Sequence, residues 1–102
     1  MSETTSPAIS IARIATAHGS RYLTQLCKHW GHKFPVSYDA HRGAIELPAG
    51  GCTLEADAAT LAVRVEAAAT EGLARLEQVV EEHIRRFAFR EELSFAWTRE
   101  AR

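Results

Sequence analysis

Apolar and polar positions alternate along this chain. The alternation switches between the two-residue period of a strand and the 3.6-residue period of a helix. Ile9 and Ile11 alternate with Ser10 and Ala12, which predicts a first strand with the isoleucines on its apolar side. Leu23, Leu26, Cys27 and Trp30 stand at i, i+3, i+4 and i+7, one apolar stripe of a helix. Thr16 suits its N-cap, Gly31 the position just past its end, and Pro35 blocks its continuation.

A meander of strands is predicted next. Val36 and Tyr38 alternate with Ser37 and Asp39, and Ile45 and Leu47 resume the pattern after the turn-like segment 39–43. Pro48-Ala49-Gly50-Gly51 is a second turn. Cys52, Leu54 and Ala56, then Leu61, Val63 and Val65, give two more strands with one oily and one polar side. A second helix is expected from Thr70 to Phe87, with Leu73, Leu76, Val80, Ile84 and Phe87 inward and Val79 at the edge. Its C-terminal Arg85 and Arg86 complement the helix dipole. A last strand carries Leu93, Phe95 and Trp97 on one face.

The resulting order is β-α-β-β-β-β-α-β. It predicts an α+β, two-layer fold: a mostly antiparallel sheet of five or six strands with two amphipathic helices on one face. Glu46, Glu55, Asp57, Arg64 and Glu66 fall on the other face, where cross-strand ion pairs can form. Residues 1–8 read as a flexible tail, 9–98 as a single domain and 99–102 as a frayed end.

Length and composition narrow this picture. The chain has 102 residues, 46% of them hydrophobic and 25% charged, a globular balance. Its formal net charge of −1 argues against a global electrostatic grip on nucleic acid or an anionic membrane. No apolar run approaches the roughly 20 residues that span a bilayer, and the N-terminus lacks the features of a signal peptide. A cytoplasmic location is therefore expected, with Cys27 and Cys52 as reduced thiols.

The five histidines are the most informative chemistry. On the first helix His18, Tyr22, Gln25 and His29 follow one another at +4, +3 and +4, beside the apolar stripe. His32 would extend the series if the helix reached past Gly31. Such a row of imidazoles and a phenol can line a pocket or hold a metal, although any amphipathic helix also carries polar residues beside its core stripe. Cys27 and His29 diverge by about 200° on a helix, so the Cys27-Lys28-His29 run is not a ligand pair, and Cys27 reads as a small core residue. His83 lies on the inner side of the second helix, where it is either a hydrogen-bonded core histidine or a group facing the first helix. No phosphate loop, nucleophile elbow or carboxylate dyad is present in the sequence.

The segments Thr16-Ala17-His18-Gly19-Ser20-Arg21-Tyr22-Leu23, Gln25 to Phe34, Leu54 to Asp57 and Arg86 to Leu93 resemble those of one bacterial family. It is the family catalogued as domain of unknown function number 2218. The resemblance covers nearly the whole chain after the tail. It implies a small stand-alone bacterial protein, with some members joined to, or encoded near, siderophore-interacting flavin reductases. It carries over no catalytic residue and no cofactor. The combined reading is a non-catalytic accessory module that binds a small ligand or a metal, with an implied link to iron or siderophore handling. Its candidate residues are His18, Arg21, Tyr22, His29, His32 and His83, with Arg21 and Lys33 attracting an anion. The alternative is an interaction domain that docks to a reductase or to a second copy of itself.

Overall fold

The computed structural model describes residues 7–100. Its elements are β1 (Ala8–Ala15), α1 (Gly19–Trp30), β2 (Val36–Tyr38), β3 (Arg42–Leu47), β4 (Gly50–Ala56), β5 (Thr60–Ala67), α2 (Thr70–Phe87) and β6 (Thr98–Arg99). The α+β class and the element order are those the periodicity predicts. All strand pairs are antiparallel, in the order β2-β3-β4-β5-β1-β6. The meander β2 to β5 follows the chain, while β1 pairs with β5 from Ala8 opposite Ala67 to Ala15 opposite Thr60. Thus α1 carries the chain from β1 across the sheet to the far edge at β2.

Both helices cover the same face. Ile14, Ile45, Cys52, Leu54, Leu61, Val63 and Val65 from the strands are buried together with Leu23, Leu26, Leu73, Val80 and Ile84 from the helices. Asp39 and Asp57 close two of the hairpin turns, each accepting two backbone N–H bonds through Oδ1. The polar face carries the expected cross-strand pair, Arg42–Glu55 at 3.8 Å. Glycine is needed where α1 crosses β3: a Cβ at Gly43 would lie 2.8 Å from Cys27 Sγ.

Four local readings are revised. In β1 the inward residues are Ala8, Ser10, Ala12 and Ile14, while Ile9 and Ile11 lie half-exposed on the other side. Two isoleucines establish a period but not which phase faces inward, and the small residues make room where α2 packs on β1. The segment around Leu93, Phe95 and Trp97 shows alternating burial, but strand pairing is confined to Thr98–Arg99. It is held instead by α2: Arg85 Nη1 donates to the Leu93 carbonyl, Arg85 stacks over Phe95, and Trp97 Nε1 donates to Glu81.

Gly31 directly follows the last residue of α1, as expected, and caps it in right-handed geometry. Thr16 lies two residues before the N-cap position, His18, and its Oγ1 accepts the His18 backbone N–H. Of the expected tail and frayed end, residues 1–6 and 101–102 lie outside the described residues. Ala8 and Arg99 themselves are strand residues, and Arg99 bonds Glu77 through two nitrogens.

Candidate functional site

The row of polar residues on α1 is divided by what packs beside it. At its N-terminal end, Tyr22 is 4% exposed. Its hydroxyl donates to Glu91 Oε2, and the Thr16 hydroxyl donates to the same oxygen at 3.0 Å. His18 stands edge-on to the Tyr22 ring at 6.3 Å. Burial raises the Tyr22 pKa to about 12, aided by the hydrogen bond and charge of Glu91. The same bond leads the factors that hold the Glu91 carboxyl below its ordinary range. This arrangement ties the start of α1 to the segment after α2. Arg21 is exposed and makes no side-chain hydrogen bond or ion pair among the described residues.

The C-terminal end of α1 has a different character. His29 meets His83 of α2 with ring centroids 5.2 Å apart, and His83 lies 4.8 Å from Trp30. Phe87 closes on His29 at 6.0 Å. His29, Trp30 and His83 border a cleft of about 410 Å³ between α1, α2 and the β3–β4 turn. His29, Trp30, Lys33 and Phe34 form one wall, Leu47 to Ala49 the floor, and Arg75, Leu76, Val79 and His83 the other wall. The helical period explains the α2 wall, because Arg75, Val79 and His83 at i, i+4 and i+8 share a face, while Lys33 and Phe34 come from the turn that follows α1.

Lys33 and Arg75 make no ion pair among the described residues. The cleft therefore joins an aromatic and aliphatic lining to two cations and two imidazoles, a composition suited to a partly apolar anion. Its volume falls in the range of about 300–1,000 Å³ usual for small-molecule sites. A larger depression of about 560 Å³ lies at the β2–β4 end of the sheet. It is an open surface in which Arg42 already pairs with Glu55.

His29 and His83 are thus brought together, as one of the sequence readings allowed. His18, Arg21 and Tyr22 lie apart from them. His32 borders a separate depression with Cys27, Lys28, Val36 and Tyr38. Among the described residues, no three His, Cys, Asp or Glu side chains converge as metal ligands. Arg75 escaped the sequence reading, and Glu91 entered it only within the segment from Arg86 to Leu93 that resembles the family. Arg75 carries a usable signal, since Arg75, Val79 and His83 run at four-residue spacing along α2. Nothing local pointed to what Glu91 would bond, because its partners are 69 and 75 residues away in the chain.

No helix of the described residues is long and apolar enough to cross a membrane. No curated protein matches the chain. Among solved structures, the NMR structure of PA4090 from Pseudomonas aeruginosa is similar, with a TM-score of 0.75 and 34% identity. The match covers 88% of this chain and 94% of that one. A family model described as uncharacterised protein conserved in bacteria matches residues 11–98. The chain therefore belongs to that bacterial family, DUF2218, as the motifs on α1 and after α2 indicate.

Proposed function

We propose that this protein is a small-molecule-binding module whose site is the cleft between α1, α2 and the β3–β4 turn, and whose ligand is an anion with a flat apolar body. One observation supports this above the rest. Lys33 and Arg75, without carboxylate partners among the described residues, border the same cleft as Trp30, Phe34 and the His29–His83 pair. Cations beside aromatic faces favour a planar carboxylate, and the exposed Arg75 can hold it through two parallel hydrogen bonds.

The module is read as non-catalytic. Glu91, the carboxylate that meets the α1 row, is engaged by Thr16 and Tyr22 at the other end of the helix. With two imidazoles and no third ligand among the described residues, a bare metal ion is the weaker candidate. An iron or siderophore connection rests on the family association alone.

The test is a thermal-shift titration with a panel of small aromatic and aliphatic carboxylates. Folded-state binding raises the melting temperature by mass action, about 2.7 kcal/mol of stabilisation at a hundredfold excess over Kd. A saturable rise with aromatic acids, lost in Arg75→Gln, is expected. An unchanged melting temperature with every compound would end this reading.

A second reading, docking to a reductase or a second copy, is favoured by Phe89, which is 78% exposed beside Arg90. It expects a concentration-dependent mass in analytical ultracentrifugation that Phe89→Ser abolishes, with no response to the acids.

A further inference from the structure

His83 Nδ1 lies 2.7 Å from the backbone carbonyl of Val79, one turn earlier on α2. A carbonyl oxygen can only accept, so Nδ1 must carry the proton of this bond. In the neutral ring the other nitrogen, Nε2, is then an acceptor without a proton. The helix backbone itself fixes the tautomer. His83 borders the same cleft as Trp30, Lys33 and Arg75, so its free ring nitrogen is the acceptor this side chain has to offer there.

We infer that His83 Nε2 is a specificity-determining acceptor, and that the ligand is an aromatic acid bearing a hydrogen-bond donor, such as a ring hydroxyl, in addition to its carboxylate. The inference rests on the cleft reading above and deepens it. The cations take the carboxylate, Trp30 and Phe34 flank the ring, and His83 takes the hydroxyl proton in a hydrogen bond without proton transfer. A ligand lacking that donor leaves Nε2 desolvated and unpaired, and sites built this way reject such analogues strongly.

The experiment is isothermal titration of the full chain with benzoate and its 2-, 3- and 4-hydroxy isomers. The wild type is compared with His83→Asn and His83→Ala. Asparagine keeps a donor near the Val79 carbonyl but has no atom at the Nε2 position. At least one hydroxybenzoate should bind about tenfold or more tightly than benzoate to the wild type. That preference should shrink to under about threefold in both variants.

Equal affinities for benzoate and all three isomers in the wild type would overturn the inference and leave the cleft reading standing. So would a preference that survives in both variants. No binding of any of the four would count against the cleft and the inference together. A long-range proton–nitrogen NMR correlation of the free protein reads the tautomer independently of folding effects. A proton found on Nε2 rather than Nδ1 would also overturn the inference.

Discussion

Replacing Gly43 by alanine is a direct test of how α1 is seated on the sheet. An ideal Cβ at this position would lie 2.8 Å from Cys27 Sγ and 3.4 and 3.5 Å from Leu23 Cδ2 and Cγ. Cys27 and Leu23 are fully buried, and β3 is held between β2 and β4. The strain can therefore be relieved only by lifting α1 or bending the strand. Overpacking of this kind costs about 1–3 kcal/mol. Reduced backbone freedom of the unfolded chain returns roughly 0.4–1 kcal/mol of that.

The net expectation is a loss between about 0 and 2.6 kcal/mol, with a midpoint of about 1.3 kcal/mol that corresponds to several degrees in Tm for a domain of this size. Cys27→Ala alone should cost about 1 kcal/mol through a lost buried group and a small cavity. The two changes should compensate, because the new Cβ occupies space that the thiol vacates. The double variant is expected within about 0.5 kcal/mol of Cys27→Ala alone, well short of the sum of the two single losses. Urea unfolding of the four proteins, with m-values compared, measures the cycle. A Gly43→Ala protein more stable than the wild type, or strictly additive losses, would refute the packing argument.

Two further outcomes follow from other buried groups. Tyr22→Phe removes the hydroxyl shared with Glu91 while keeping the ring, and should lower Tm on the order of 5 °C. Because the folded Tyr22 pKa is raised from 10.0 to about 12, its contribution is complete below about pH 10 and is lost as pH rises through about 12. Glu91 behaves oppositely, its contribution being present above its unfolded pKa and lost as pH falls through the depressed folded value. Stability curves measured at both pH extremes should be flatter in Tyr22→Phe than in the wild type.

The thiols give the other outcome: burial pushes Cys27 up to about 11 and Cys52 higher still. Neither should react with a disulfide reagent at pH 8 until the protein unfolds, and prompt labelling of either in native buffer would contradict their burial.

Much of the fold was written locally. The bounds of α2, the meander and the inward sets of β4 and β5 follow from periodicity, since each segment has one face that must leave water. The motifs on α1 and after α2 likewise indicated the family. In β1 the isoleucines marked the period but suggested the wrong face, and the small residues Ser10 and Ala12 proved to be inward because α2 packs there. The extended segment to Trp97 had strand-like alternation, yet its partners are side chains of α2 rather than a ladder.

The candidate site divides in the same way. The sequence placed His18, Tyr22 and His29 on one edge of one helix. It could not know that Glu91 would claim Tyr22, or that His83 would face His29 across the cleft. Those meetings depend on how two helices, far apart in the chain, settle side by side on one sheet. That outcome is decided by packing of the whole core, including the close approach of α1 to Gly43, and not by any local spacing of residues.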